Sequence, residues 1–316
     1  LVLERAGAHH RLKAELRILR DHTDEAPPDG LAGKSAAMKA VRDVVRQVAD
    51  LDVTVLVTGP TGSGKEVVAR ALHASSSRRD QPFAVVSCAA LPEEVLDSEL
   101  FGHAKGPGVL NGDGTVLLDE IGDLSTASQA RLLRVLEDGV RARVVVATAK
   151  DLEQGVADGT FREDLYYRIN VVHLDLPPLR TRGDDVLLLA QLFLEKAARR
   201  MKRPVRGISP SAAATLLAHP WPGNVRELQN AIERAVALTK YEEIVAADLP
   251  ERSTLKPPSG EIEMVSLDEV EKRHVLGVLE KVSWNRRRAA SVLGVDPKTL
   301  YRKLLQWGVG EPGKPT

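Results

Sequence analysis

Hydrophobic positions divide the chain into stretches of different period. Over 1–20, Leu12, Leu16 and Leu19 recur at i, i+4 and i+7 among charged residues. So narrow a seam predicts a helix that pairs with another helix or joins another domain; a solvent-exposed helix has the same pattern. Glu25-Ala26-Pro27-Pro28-Asp29-Gly30 breaks it. Helical spacing returns over 36–49 through Met38, Val41, Val44, Val45 and Val48. Apolar runs of strand length follow at 53–57, 83–86, 116–118, 144–147 and 171–176, with helical segments between them. Runs without polar alternation suit parallel strands buried on both faces. Strands alternating with helices predict a wound α/β sheet.

After Pro177-Pro178 the strand signal stops, and 184–201, 209–218 and 224–239 carry helical patterns. The composition of 253–260 (STLKPPSG) is that of a linker, and the tail over 310–316 reads as disordered. The expected organisation is a connector helix over 1–24, an α/β subdomain over 30–180 and a helical subdomain over 181–252. A linker over 253–265 and a compact all-α unit over 266–308 complete it.

Composition changes this picture little. The 316 residues are 43% hydrophobic and 28% charged, which excludes a disordered chain. Aromatics are only 3%, so the cores must be aliphatic. Lys and Arg balance Asp and Glu at 44 each, which excludes a uniformly basic coat but not a local patch. One cysteine, Cys88, forbids an internal disulfide and fits a reducing, cytoplasmic setting. No apolar run is long enough to cross a bilayer. The chain begins without Met, and residues upstream are expected.

The chemistry begins at Gly59-Pro60-Thr61-Gly62-Ser63-Gly64-Lys65, which fits the phosphate-loop pattern G-x-x-x-x-G-K between an apolar strand and a helix. Glycines let backbone N–H groups wrap a phosphate, and the helix N-terminus adds positive potential. Lys65 would reach the β- and γ-phosphates of ATP. Glu66 stands where a Ser or Thr usually ligates Mg2+. Some 50 residues on, the strand Val116-Leu117-Leu118 ends in Asp119 and Glu120. Asp119 would hold Mg2+, commonly through water, and Glu120 would polarise the attacking water.

Four motifs, one of them containing the acid pair, appear in order: Glu99-Leu100-Phe101-Gly102-His103, Leu118-Asp119-Glu120-Ile121-Gly122, Phe161-Arg162-Glu163-Asp164-Leu165-Tyr166-Tyr167-Arg168, and Trp221-Pro222-Gly223-Asn224-Val225-Arg226-Glu227-Leu228. Together they resemble the AAA+ domain of bacterial enhancer-binding proteins of the nitrogen-regulatory-protein-C type, over roughly 30–250. The resemblance implies an AAA+ P-loop sheet with a helical lid and a ring-forming ATPase. In that family Glu66 is the usual residue after the lysine. Arg162 and Arg168 match the arginines that reach a neighbouring subunit's nucleotide, although spacing alone favours a surface salt bridge for both. Arg226 matches the nucleotide-sensing arginine of the lid. Without the family, Asn224 reads as a helix cap with Glu227 completing a capping-box-like pattern. Val225, Leu228 and Ile232 face the core, and spacing does not say whether Arg226 meets nucleotide or solvent.

Three departures qualify the likeness. Phe101-Gly102-His103-Ala104-Lys105-Gly106 runs straight into Pro107-Gly108-Val109, where the family begins a Gly-Ala-Phe-Thr-Gly-Ala loop that contacts sigma-54. Gly139-Val140-Arg141 likewise meets Ala142-Arg143-Val144 too soon for a second loop. Either the protein lacks both loops or the sequence omits them, and their pairing on neighbouring exposed loops favours omission. Third, Ala149 and Ser87 stand where the family usually has Asn. Ala149 has no side chain for a γ-phosphate, leaving Thr148 or water, while Ser87 reaches toward Glu120 with a shorter arm. Nucleotide binding is expected to be kept and hydrolysis or its gating altered.

In the last unit, 267–282 is an amphipathic helix, 287–293 a short second helix and 297–307 a third, with Gly294-Val295-Asp296 as the turn. This is helix-turn-helix spacing. Ala289, Ala290, Leu293, Val295, Leu300 and Leu304 are its expected core. Over 281–303 seven basic residues face one acid, Asp296, the footprint of phosphate-backbone contact. Arg286, Arg287, Lys298, Thr299, Tyr301, Arg302 and Lys303 are the expected contacts to double-stranded DNA. The segment resembles the Fis-type DNA-binding domain; a helical docking domain with a basic solvated face shares its pattern. The histidines make no H-x-x-x-H pair, which argues against a structural metal.

The two resemblances together imply an ATP-hydrolysing transcriptional activator of a two-component system. It would bind enhancer DNA as a dimer, form a hexameric or heptameric ring and remodel sigma-54 RNA polymerase, with an upstream receiver domain and no membrane contact. A competing reading is a sigma-54-independent DNA-binding regulator that uses ATP as an assembly ligand, favoured by the short loop and Ala149. A clamp-loader or unfolding machine is disfavoured by the terminal DNA-binding unit.

Overall fold

The computed structural model describes residues 30–103, 106–250 and 271–307, apart from 273, 277, 280, 281 and 283. The connector helix, the linker and the tail lie outside the described residues. The chain forms two compact units, Leu1–Leu255 and Lys256–Thr316.

The first unit is built on five parallel strands: β1 (Val55–Thr58), β2 (Phe83–Ser87), β5 (Thr115–Asp119), β6 (Arg143–Thr148) and β7 (Val172–Asp175), in the order β2-β5-β6-β1-β7. Each falls within two residues of its apolar run. Alternate residues serve opposite faces, as the strand period requires. Val55, Val57, Leu117, Val145 and Ala147 pack with helices α1 (Ala36–Val48) and α2 (Lys65–Ala74). Leu56, Val116, Leu118, Val144 and Val146 pack on the other face with α3 (Glu93–Phe101), α4 (Thr126–Asp138) and α6 (Glu163–Ile169). Both faces are dry along the central strands β5, β6 and β1, which is why these show no polar alternation, whereas the edge strand β7 alternates, with His173 and Asp175 exposed. A short helix, α5 (Leu152–Ala157), follows β6.

Both shortened connections close locally. After α3 the chain makes the two-residue strands β3 (Gly102–His103) and β4 (Gly106–Pro107), paired antiparallel. From the end of α4 at Asp138, only four residues lead into β6 at Arg143. Arg143 is buried and donates to the Val48 and Ala49 carbonyls at the end of α1. Those carbonyls have no partner within the helix.

The lid has its own core, made by α7 (Asp185–Met201), α8 (Pro210–Ala218) and α9 (Asn224–Leu238). It is not purely helical, as the sequence suggested. Strands β8 (Gly207–Ile208) and β9 (Glu243–Ile244) pair in parallel, and two-residue strands are too short to leave a periodic signal.

In the second unit, helical residues among 271–279 pack with α10 (Arg286–Leu293) and α11 (Pro297–Gln306). The core holds Val275, Leu279, Ala289, Ala290, Leu300 and Leu304, with Leu293 partly buried against it. Val295 is not part of it and is 38% exposed. It sits in the turn beside Gly294, whose φ of +66° swings the chain between the helices.

Candidate functional site

The carboxyl ends of adjacent strands make the site, as open α/β sheets do. Gly59, Gly62 and Gly64, between β1 and α2, have φ of +146°, +75° and +106°, values that favour glycine. A Cβ on Gly62 would lie 2.4 Å from the Gly223 carbonyl, and one on Gly59 2.6 Å from that of Leu176. Lys65 opens α2, is buried, and donates from Nζ to the Gly59 carbonyl at 3.1 Å. Pro60 accepts the Ser63 N–H at 3.1 Å, while the buried Ser63 Oγ has no partner.

Asp119 ends β5. Burial raises its pKa first, the Glu120 charge adds to this, and Lys65 offsets it in part. Glu120 follows at φ +55°, a strained conformation for a side-chain-bearing residue. Its Oε2 accepts the Ala149 N–H at 3.0 Å, and its Oε1 lies 3.4 Å from Lys65 Nζ. The backbone of residue 149 thus holds Glu120, whatever its side chain. Ser87 sits in register with Asp119 across β2 and β5. The Thr148 hydroxyl is buried and accepts from Lys150 N–H. Cys88, behind the acids, is buried in the core, and burial followed by the Asp119 charge pushes its thiol up to about 12.

A cavity of about 240 Å³ joins Thr61, Gly62, Gly64, Lys65, Glu66, Asp119, Glu120 and Arg226. Glu66 meanwhile pairs with Arg70 one turn along α2, at 2.7 Å. A second cavity of about 230 Å³ has a mainly aliphatic lining that includes Leu31, Ala32, Ser63, Leu176, Leu189, Phe193 and Val225. Apart from Ser63 of the phosphate loop, the sequence pattern did not single these residues out: they come from four further segments, and each reads as ordinary core.

Arg226 is exposed, with Leu228 and Ile232 buried on the opposite side of α9. Asn224 does not cap α9. It is the helix's first residue, at φ +52°, after Gly223. Glu227 accepts the Gly223 N–H at 2.7 Å and the Asn224 N–H goes to the Trp221 carbonyl at 2.8 Å, so the predicted capping box does not form. Arg162 and Arg168 lie at the two ends of α6. Arg162 is half-exposed and forks onto Asp164 at 2.6 and 3.0 Å. Arg168 donates to the Leu136 carbonyl at 2.5 Å. Burial lowers the Arg182 guanidinium to about 10, offset in part by Asp185, so it is charged at neutral pH.

In the second unit, Arg287, Lys298, Tyr301 and Arg302 are exposed, whereas Arg286, Thr299 and Lys303 are half-buried. The Arg286 guanidinium lies 5.9 Å from the Tyr301 ring centroid, and Lys303 pairs with Glu271. Both therefore also bind the unit together. Among the described residues no three His, Cys, Asp or Glu side chains gather to hold a metal.

Comparison with known proteins agrees with this geometry. Residues 31–175 match the sigma-54 interaction domain, 180–263 the AAA+ ATPase lid domain and 266–307 the Fis family of bacterial regulatory proteins. The transcriptional regulatory protein ZraR of Klebsiella oxytoca is 43% identical over 96% of this chain and 74% of its own. That alignment spans 333 positions, more than this chain contains, so the relative carries residues this one lacks. The regulatory protein AtoC of Escherichia coli K12 is 39% identical over 98% of this chain and 74% of its own. The crystal structure of Brucella abortus NtrX in complex with ATP is 35% identical, covers 98% of this chain and 75% of its own, and superposes with a TM-score of 0.69. A regulator independent of sigma-54 is not favoured by these matches. The chain belongs to the bacterial sigma-54-dependent enhancer-binding proteins, activators that couple an AAA+ nucleotide-hydrolysing domain to a Fis-type DNA-binding domain.

Proposed function

We propose that ATP occupies the two neighbouring cavities, which share Gly64, Val67 and Val225 in their linings, with its phosphates between the 59–65 loop and Arg226 and its base in the aliphatic cavity over Leu31 and Phe193. The observation that carries this is the convergence of Lys65, Asp119, Glu120 and Arg226 on one cavity at the sheet edge. Glu120 is the base that orients the attacking water, held for that task by the Ala149 N–H. Asp119 is the Mg2+ residue: a desolvated carboxylate without a protein cage suits an ion that shares its coordination with phosphate and water. Mg2+, when bound, supplies charge neutralisation on the phosphates.

Arg162 and Arg168 act in trans across a hexameric or heptameric ring, after leaving Asp164 and the Leu136 carbonyl. An arginine neutralises charge that develops on the transferred phosphoryl group. Arg287, Lys298, Tyr301 and Arg302 contact DNA directly, with Arg286, Thr299 and Lys303 at the edge of the contact. The segment before residue 30 joins the ATPase to a receiver domain, and the protein works in the cytoplasm on sigma-54 RNA polymerase holoenzyme. Among the described residues no helix is long and apolar enough to cross a membrane.

Subunit mixing tests the assembly. Arg162→Ala and Glu120→Gln subunits are each expected to be inactive. Mixed, they should regain ATPase activity, because an intact Glu120 then meets an intact Arg162 at some interfaces. No recovery on mixing would remove Arg162 from the trans role.

A further inference from the structure

Three successive carbonyls of the phosphate loop are held by the lid. The Asn224 side-chain amide donates to the Thr61 carbonyl at 3.0 Å. The N–H groups of Val225 and Arg226, orphan donors at the start of α9, reach the Gly62 carbonyl at 2.9 and 3.3 Å. Arg182, 3% exposed, donates to the Ser63 carbonyl at 2.8 Å and to the Pro177 carbonyl at 2.7 Å. The other end of the Asn224 amide accepts the Leu179 N–H at 2.9 Å, where the sheet passes into the lid. Asn224 is itself 3% exposed and sits at φ +52°, a conformation asparagine tolerates better than most residues.

The consequence follows from peptide geometry. A trans peptide points its C=O and N–H in opposite directions. Carbonyls 61 and 63 pinned to the lid therefore turn the N–H groups of Gly62 and Gly64 the other way, and both glycines line the phosphate cavity. The same contacts hold Arg226 beside the loop through its main chain, because its N–H shares the Gly62 carbonyl. We infer that Asn224 and Arg182 are positioning residues of the nucleotide site, fastening the phosphate loop to the lid so that loop shape, Arg226 placement and lid position change together. This rests on the phosphate loop being the nucleotide site.

The test is the affinity of the full chain for a fluorescent ATP analogue, measured well below each variant's melting temperature. Asn224→Gly keeps the backbone conformation without strain and deletes only the amide. Arg182→Lys keeps the charge but loses the planar fork. Both are expected to weaken binding at least tenfold. Asn224→Gly combined with Arg226→Ala should bind no worse than the weaker single variant, since both act through one placement. A merely structural tie would lower the melting temperature and leave both affinities within twofold of the parent, which would overturn the inference. Lys65→Ala separates the two levels. If it fails to abolish binding, the site itself is misassigned; if it abolishes binding while Asn224→Gly and Arg182→Lys do not weaken it, only the positioning role falls.

Discussion

Replacing Glu120 by Gln isolates the proposed catalytic step from binding. The carboxylate makes two contacts, the Ala149 N–H at 3.0 Å and Lys65 Nζ at 3.4 Å. Gln keeps an oxygen to accept from Ala149, so the strained backbone at φ +55° retains its anchor. The charge next to Lys65 is lost, and with it any ability to take a proton from water. Lys65 keeps the Gly59 carbonyl and no longer divides its charge between Glu120 and phosphate. Binding should therefore hold or tighten. A positioned general base contributes roughly 10²- to 10⁴-fold, equivalent to about 3–5 kcal/mol of barrier at about 1.4 kcal/mol per decade. Steady-state phosphate release gives kcat, and a fluorescent nucleotide gives the dissociation constant. The expected pair is a kcat at least a hundredfold lower with affinity unchanged or higher. A kcat within tenfold of the parent would refute the assignment of Glu120 as the base. Lost affinity would show that the carboxylate shapes the binding site instead.

Four other perturbations test separate parts of the site. Asp119 is raised above an ordinary carboxylate by burial and by Glu120, so its charged form costs stability at neutral pH and the cost fades as pH falls through the raised pKa; Asp119→Asn should raise the melting temperature at pH 7, less so in acid, while lowering Mg2+-dependent turnover over a hundredfold. Ala149→Asn leaves the main-chain bond to Glu120 and restores an amide at the sheet edge, so steady-state turnover should rise severalfold; no change would remove the side chain at 149 from hydrolysis. Arg302→Ala should weaken DNA binding and reduce the slope of log K against log salt by about one, and an unchanged slope would place Arg302 off the backbone. Inserting a Gly-Ala-Phe-Thr-Gly-Ala loop between Gly106 and Pro107 should increase capture of sigma-54 by the protein in a transition-state-analogue trap at least tenfold; equal capture without the loop would assign that contact to other residues.

The sheet was legible because its signal is local. Val55, Leu56 and Val57 are buried on alternating faces, and an unbroken apolar run is what two dry faces require. The phosphate loop and acid pair were legible for a similar reason: turn chemistry and strand ends lie within a few residues of one another. Reach across the chain was not legible. Lys303 looked like a free DNA contact because nothing near it in sequence reveals its pairing with Glu271. Val295 has a hydrophobic identity but sits in a turn that carries it out of the core. The aliphatic cavity over Leu31 and Phe193 looked like core because each of its walls does, one segment at a time.

Asn224 shows most clearly what one-dimensional pattern leaves out. Asn before a helical run, with Glu three residues on, is a start signal, and the helix does start there. Capping chemistry assigns the side chain to its own helix, yet it bonds instead to a carbonyl 163 residues away. The helix can spare it because the Gly62 carbonyl takes the N–H groups of Val225 and Arg226, leaving less for a cap to satisfy. Gly62 permits this approach only because it lacks a Cβ, which would meet the Gly223 carbonyl at 2.4 Å. A glycine that sequence analysis assigns to phosphate is thus equally a seat for the lid. Substitution at Gly62 should therefore impair lid docking as well as nucleotide binding, and the two requirements together narrow that position more than phosphate contact alone.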